Sequence, residues 1–441
     1  MWTYHPELLA TPVPRYTSYP TAAEFGDDVG PVDMEEALAA IAPGTVVSLY
    51  LHIPYCRDIC WYCGCNTGAA NRAARLATYV ERLEREIALV AQRVRGIRVG
   101  RIAFGGGSPN AIPPAAFLRL VENVRTAFDC TDAILSVEVD PRGFDRDWAG
   151  AIGRAGVSRV SLGVQTLDPQ VQAAIGRVQP SEDIRRTTAL LRDAGVGSIN
   201  FDLMYGLPQQ SEQSLRASIA ESIAMAPDRL AVFGYAHVPH LVPRQRRIVA
   251  DGLAGTAERF AQAALAHRML VDAGYDPVGF DHFARPGDAL ALAQAAASGG
   301  LRRNFQGFTE DPAEILIGLG ASAISDFPDK ILQTEKNTGR YGMRIDAGAL
   351  ATCRGLRRTP EDRLRGRAIE TILTRGTANL TALSDGADIR RRLTPFERYG
   401  LIAWEGSVLR LSEDALPYAR VIASRLDAYR QTASARFSHA V

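Results

Sequence analysis

Cys56, Cys60 and Cys63 stand in the run CRDICWYC, with Cys65 one residue beyond. Three thiolates at this spacing fit on one tight loop and can ligate a [4Fe–4S] cube, which ordinarily takes four cysteines. With three ligands one iron stays open to chelation by a small molecule, and an electron store becomes a reactive site. Zinc is the competing reading, because structural zinc also takes clustered cysteines. Its usual pattern draws a second pair, or histidines, from elsewhere. Here Cys130 and Cys353 stand alone, and His52 sits in the strand-like LYLHIP. A disulfide scaffold does not suit six cysteines in 441 residues.

Other polar residues could serve the same chemistry. Three glycines at 105–107, followed by Ser108, let backbone approach a ligand and offer N–H groups to an anion. No Lys follows them, so they are not a nucleotide P-loop, and GGGSP lacks the Rossmann spacing. Glu138 and Asp202 end apolar runs, where an ionised carboxylate is costly unless partnered. Ribose hydroxyls are natural partners; pairing with Arg142 or Arg159 is the alternative. Gln165 can donate and accept, and Arg177, expected in a helix, can clamp a carboxylate bidentately.

A repeating frame must position these residues. VVSLYLHI, RIAFGGG, AILSVEVD, VSRVSLGV, SINFDLMYG and RLAVFGYA read as six strands, with helical patterns between them. Apolar strands alternating with helices mean a parallel sheet covered by helices, and this spacing fits a closed or partly closed β/α barrel. Polar residues then fall at the C-terminal strand ends, where such a barrel does its chemistry. Residues 1–45 read as an irregular arm with a short helix near 33–42. Residues 46–300 form the barrel, which includes a short strand within YDPVGFDHFARP and a Gly- and Ala-rich connection. Residues 301–359 read as a barrel extension and linker. Residues 360–441 read as a mostly helical domain with a hairpin, GLIAWEGSVLRLS, and a final helix near 413–430. That helix-and-wing end lacks a basic recognition helix, so a lid or packing role suits it better than DNA binding.

Composition sets the outer bounds. With 50 basic and 49 acidic residues the net charge is +1, which gives no case for nucleic-acid binding, and anionic ligands must meet local arginines. No basic head with an apolar run opens the chain, and no apolar stretch reaches the roughly 18 residues of a membrane span. The expectation is a cytoplasmic protein, which suits reduced cysteines.

These residues together resemble the radical S-adenosylmethionine (SAM) enzymes. Within them the chain is similar to the oxygen-independent coproporphyrinogen III oxidases. C-x3-C-x2-C with Cys65, PRYTSYPT at 14–21, LYLHIPYC at 49–56, GGGSP at 105–109, SVEVDPR at 136–142 and FDLMYGLP at 201–208 carry the resemblance, which spans essentially the whole chain. It implies a radical-SAM partial (β/α)6 TIM-like barrel and two SAM molecules in one site. Cys56, Cys60 and Cys63 would hold a [4Fe–4S] cluster, with Cys65 not a ligand. Tyr50, Gly106, Glu138 and Ile324 would line the first SAM. Tyr62, Gly107, Ser108, Gln165, Arg177, Asp202 and Ala236 would hold the second.

The implied reaction is anaerobic oxidative decarboxylation of two propionates of coproporphyrinogen III to vinyl groups, giving protoporphyrinogen IX. A 5′-deoxyadenosyl radical would abstract the hydrogen, and no side chain is implied as a catalytic group. The implied partners are the tetrapyrrole and a low-potential electron donor, and the family favours a monomer. Competing readings are a radical SAM enzyme acting on another tetrapyrrole, by methyl transfer or anaerobic haem breakdown, and a haem chaperone. The chain departs from the family at Ser108, Asn110, Gly234 and Arg375–Thr377. Arg375 is thereby a candidate anchor for substrate propionates, with Arg285, Arg302 and Arg303 next.

Overall fold

The computed structural model describes residues 2–296, 299–431, 437 and 440–441. Six parallel strands form its centre: β1 Val46–Ile53, β2 Arg98–Gly106, β3 Ile134–Val139, β4 Arg159–Gln165, β5 Ser198–Tyr205 and β6 Arg229–Gly234. Helices join them. The helix Ala73–Ala91 buries Leu76, Val80, Leu83, Ile87 and Val90 along one stripe, the i, i+3, i+4 pattern that its sequence carries. The helix Arg146–Ala155 starts where Asp145 accepts the Trp148 N–H (2.9 Å), and ends on Gly156 at φ +66°. Trp148 is fully buried against Phe117, which in turn packs on Phe104 of β2.

The sheet continues past both ends of this set. YDPVGFDHFARP makes two strands rather than one, β7 Asp276–Val278 and β8 His282–Ala284, and β8 runs antiparallel to β6. The Gly- and Ala-rich connection contains a helix, Ala289–Ala295, capped by Asp288. On the far side of β1, residues 301–359 supply β9 Leu316–Leu319, β10 Ile324–Phe327, β11 Lys330–Thr334 and β12 Thr352–Arg357. The order of this twelve-stranded sheet is β12-β11-β10-β9-β1-β2-β3-β4-β5-β6-β8-β7. Among the described residues β12 does not pair with β7, so the (β/α)6 barrel is partial.

At the N-terminal strand ends the arginines of alternate strands are neutralised inside the barrel. Arg101 of β2 and Arg159 of β4 both pair with Glu310, and Arg229 of β6 pairs with Asp288 (2.8 Å).

The C-terminal segment has its own core, and the arm completes it. The helices Pro360–Arg375 and Gly386–Arg398 pack with a sheet of β13 Thr377–Asn379, β14 Ile402–Glu405 and β15 Val408–Leu411, ordered β13-β15-β14. The wing is therefore three-stranded, because Thr377–Asn379 pairs with the hairpin. The expected final helix is broken. Pro417 lies in a 3-10 stretch, Glu413–Tyr418, and only Ala419–Ser424 is α-helical. Leu8, Leu9, Val13, Tyr16 and Tyr19 of the arm are buried in this second core with Ile369, Leu393, Phe396 and Tyr418. Tyr16 donates to Asp427 (2.9 Å), and buried Arg420 donates to the carbonyls of Val13 and Pro14. The short arm helix is Pro31–Ala39. No helix of the described residues is long and apolar enough to cross a membrane.

Glu86, fully buried on the helix Ala73–Ala91, accepts the Gly320 N–H (2.6 Å) and the Tyr341 hydroxyl (2.7 Å). Among the described residues no cation meets it, and burial raises its pKa from 4.5 to about 7. The folded state thus holds a proton that the unfolded state releases between those values, so stability falls as pH rises through that window. Glu86→Gln should flatten the dependence between pH 4.5 and 7, a slope worth roughly 3 kcal/mol in the wild type. Urea denaturation at pH 5 and pH 7 measures it, and an unchanged slope in the variant would assign the proton elsewhere.

Candidate active site

One cavity of about 490 Å³ opens at the C-terminal ends of the parallel strands, within the size range of small-molecule sites. The loop after β1 brings Cys56, Cys60, Cys63 and Cys65 to its wall. The loop after β2 brings Gly106, Gly107 and Ser108. Glu138 comes from β3, Gln165 from β4, Arg177 from the loop beyond it, Asp202 from β5, and Ala236 from the segment after β6. Tyr62 completes the set. Two expected residues lie apart from this wall: Tyr50 in β1 and Ile324 at the start of β10. They flank the same point, since Tyr50 is in register with Gly318, and a Cβ on Gly318 would press on the Ile324 backbone. The Tyr50 hydroxyl meets His52 Nδ1 at 3.1 Å.

The glycines do a different job from the one expected. The Gly107 N–H donates to the Ile53 carbonyl (2.8 Å) and the Gly106 N–H to Glu138 Oε2 (3.1 Å), so neither is left for an external anion. What the run provides is closeness. Gly106 has φ +107°, and a Cβ there would enter the His52 ring; a Cβ on Gly107 would lie 2.6 Å from the Tyr55 carbonyl. β2 thereby lies directly against the start of the cysteine loop. Ser108 and Asn110 act together, the hydroxyl bonding Asn110 Oδ1 (2.6 Å) while Asn110 Nδ2 reaches the Asp140 carbonyl (2.8 Å). These two departures from the family pattern are thus one bonded pair.

Arg177 lies in the loop after the helix Pro169–Ala174, not in a helix, because Gly176 at φ +63° has already turned the chain. Its guanidinium is buried and donates to Asp140 (3.1 Å), the Gly163 carbonyl (2.6 Å) and Cys60 Sγ (3.2 Å). Arg142 also pairs with Asp140 (2.6 Å) and reaches Cys60 Sγ (3.3 Å). One carboxylate thus positions two guanidiniums behind a buried cysteine. The sequence reading does not single out Asp140 or Gln245 on this wall, and it takes Arg142 only as a partner for Glu138 or Asp202. Gln245 is buried, and its amide N–H groups reach the carbonyls of Tyr62 (2.8 Å) and Ala236 (3.0 Å). The SVEVDPR run, which places Asp140 and Arg142 just beyond Glu138, holds the signal for both.

Among the described residues neither Glu138 nor Asp202 pairs with an arginine. Arg142 is held by Asp140 and Arg159 by Glu310. Glu138 is open to the cavity, yet protein surrounds it, and this desolvation raises its carboxyl to about 7, with Asp202 adding to the rise. Asp202 is also raised by burial, against hydrogen bonds from Ser161 and Asn200 (2.8 Å each). Carboxylates in this state suit neutral hydroxyl donors. Gln165, at φ +66°, holds a strained backbone beside them, where the β4–β5 register shifts.

The thiols differ from one another. Cys63 is lowered to about 6, first by its hydrogen bond with Cys65, whose N–H also reaches Cys63 Sγ at 3.4 Å. Burial pushes Cys56 up to about 12. Among the described residues no three His, Cys, Asp or Glu side chains gather about a single point as ligands to one metal ion would. Cys56, Cys60 and Cys63 nevertheless share one cavity wall, and two guanidiniums brace Cys60. Arg375 is elsewhere: it donates to the Gly299 carbonyl (2.8 Å) and lines a different cavity, beside the C-terminal core.

Residues 50–221 match the radical SAM superfamily. The chain is 41% identical over 439 residues to the oxygen-independent coproporphyrinogen III oxidase of Bradyrhizobium diazoefficiens, covering 97% of each. It is 40% identical to that of Paracoccus denitrificans, covering 97% of this chain and 96% of the relative. The structure of coproporphyrinogen III oxidase from Escherichia coli, described as a radical SAM enzyme, superposes with a TM-score of 0.90 at 33% identity, covering 97% of this chain and 99% of that one.

The Asp140 bridge makes a prediction separate from any activity. Asp140→Ala leaves two guanidiniums facing each other, one of them fully enclosed, and should cost about 3 kcal/mol. Arg142→Ala keeps the Asp140–Arg177 pair and should cost clearly less. Chemical denaturation of the two variants tests this, and equal losses would show that Asp140 does not organise the pair.

Proposed function

The chain belongs to the oxygen-independent coproporphyrinogen III oxidases of the radical SAM superfamily, and from that premise we propose how its own residues carry out the family's reaction. It decarboxylates two propionates of coproporphyrinogen III to vinyl groups without oxygen. The observation that carries this reading is the convergence of three cysteines and two arginine-free carboxylates on one cavity at the strand ends. Bound there, a [4Fe–4S] cluster and SAM supply a hydrogen-abstracting radical. Cys56, Cys60 and Cys63 hold the cluster, while Arg142 and Arg177 fix the Cys60 end of the loop.

We assign two SAM sites to this wall. Glu138, with Gly106, Tyr50 and Ile324, serves the SAM at the cluster. Asp202, Gln165, Arg177, Tyr62, Gly107, Ser108 and Ala236 serve a second. A carboxylate raised by burial regains stability when ribose hydroxyls donate to it, which is the reason for placing sugars at Glu138 and Asp202. The buried walls limit water around the reaction. An external low-potential electron donor completes the cycle.

Anaerobic reconstitution should give about four irons per chain, and release of carbon dioxide with formation of protoporphyrinogen IX from coproporphyrinogen III tests the activity. Cys56→Ala, Cys60→Ala or Cys63→Ala should each lose the cluster, whereas Cys65→Ala should keep it. Stoichiometric zinc without iron–sulfur absorption would sink the assignment. The two SAM sites separate by equilibrium binding. Glu138→Ala should weaken the SAM held by the cluster, and Asp202→Ala should remove a second equivalent while leaving the first. A single equivalent in the wild type, unaffected by Asp202→Ala, would reduce the site to one SAM.

A further inference from the structure

Among the described residues four arginines lie on the cavity wall, and three are already committed. Arg142 and Arg177 share Asp140, and Arg244 donates to Thr67 Oγ1 (2.8 Å) and to the carbonyls of Thr67 and Cys65. The fourth, Arg15, comes from the PRYTSYPT run of the arm. It touches the Gly234 carbonyl (3.0 Å) through one nitrogen and lies over the Phe233 ring (5.5 Å). Among the described residues no carboxylate stands within ion-pair distance of it, and a guanidinium has five N–H donors. It is exposed, and it lines both this cavity and the adjoining space beside Asp281 and Arg420.

Arg15 also stands among other cations. Arg303 donates to its carbonyl (3.2 Å), stacks on Phe280 and Phe308, and has a buried Nη1 with no partner. Arg420 holds the carbonyls of Val13, Pro14 and Ala440, and Arg259 donates to the Val441 oxygen (2.8 Å). Burial, with the charge of Arg15 adding to it, lowers the pKa of Arg259, Arg303 and Arg420. The nearby carboxylate, Asp281, is bonded to His282 Nδ1 (2.7 Å), and its single charge faces Arg303 and Arg15 as well. Arg15, Arg259, Arg303 and Arg420 thus gather positive charge beside the cavity. Gly234 keeps this side open, since a Cβ there would meet Arg259 and Tyr205 at 3.0 Å.

We infer that Arg15 anchors a substrate carboxylate, and that Arg259, Arg303 and Arg420 keep the potential around that carboxylate positive. The inference rests on the decarboxylase reading, which gives the substrate four propionates and leaves two in the product. The anchor sits at the end of β6, while the cysteines follow β1. A carboxylate held at Arg15 therefore fixes the far side of a tetrapyrrole whose reacting propionate faces the cluster.

The test is equilibrium binding of oxidised coproporphyrin III, followed by its fluorescence, to cluster-free protein. Arg15→Ala should weaken binding about 10- to 100-fold, the effect of losing a charge-assisted hydrogen bond, and Arg15→Lys should recover part of it. The wild type should bind the tetramethyl ester of coproporphyrin III more weakly by a similar factor, and Arg15→Ala should scarcely distinguish acid from ester. In turnover, Arg15→Ala should raise the substrate KM with SAM binding and iron content unchanged. Equal affinity of wild type and Arg15→Ala for the tetra-acid, with turnover intact, would overturn the anchor alone. A reconstituted wild type that neither binds nor decarboxylates coproporphyrinogen III would overturn the underlying reading as well. If Arg15→Ala does not fold, the acid-to-ester comparison in the wild type and in Arg15→Lys decides the matter. No preference for the acid in the wild type would refute the proposal.

Discussion

The double pairing of β1 is the constraint on which the rest of this structure depends. β1 is the first strand of the barrel in sequence, yet it lies inside the sheet, in parallel register with β2 on one side and β9 on the other. A strand flanked on both sides has its backbone groups satisfied and its course fixed along its length. The loop that leaves its C-terminal end therefore starts from a rigid point. That loop carries the four clustered cysteines, and the end of β2 continues the pairing onto it through Gly107 and Ser108, whose N–H groups reach Ile53 and Tyr55. Side chains on Gly106 or Gly107 would force the two apart.

Charge is allocated with the same economy. The arginines at the N-terminal strand ends are consumed by Glu310 and Asp288, and those behind Cys60 by Asp140. Glu138 and Asp202 are thereby left with neutral donors only, which keeps their carboxyl groups raised. A guanidinium beside either would hold it ionised and satisfied, and would compete with any ligand hydroxyl. Arginine is thus withheld from these two positions and supplied to Asp140 on the same wall.

The parallel strands were legible in the sequence because each is a short apolar run set off by helical patterns, and VVSLYLHI coincides with β1 to the residue. Most candidate residues converge on one cavity for the same reason: a parallel sheet sends all its C-terminal ends to one side, so position in the strand predicts position in the site. What remained hidden depends on contacts distant in sequence. That Arg177 meets Asp140 and Cys60 cannot be read from spacing, because the partners lie 37 and 117 positions away. The third strand of the wing, Thr377–Asn379, is too short to show a period of its own and exists because β15 offers an edge. The broken final helix was legible, since Pro417 stands near the start of the 413–430 stretch, but the apolar run after it masked the break. The glycine run was read for exposed N–H groups when its strand neighbours already used two of them.

The arm joins these features into one device. Its prolines keep residues 12–20 from forming a helix. Its apolar side chains therefore enter the C-terminal core individually, while its carbonyls are free to accept from Arg303 and Arg420. Those two guanidiniums satisfy backbone oxygens rather than carboxylates, so they hold the arm without losing their charge. The positive potential that accumulates there is a by-product of fastening the arm with arginine. It stands beside the cavity because Arg15, the exposed residue of the same stretch, reaches past the fastened backbone to the end of β6. Fastening the arm and gathering positive charge beside the cavity are therefore the same structural event, which is how a residue of the arm comes to line the cavity wall.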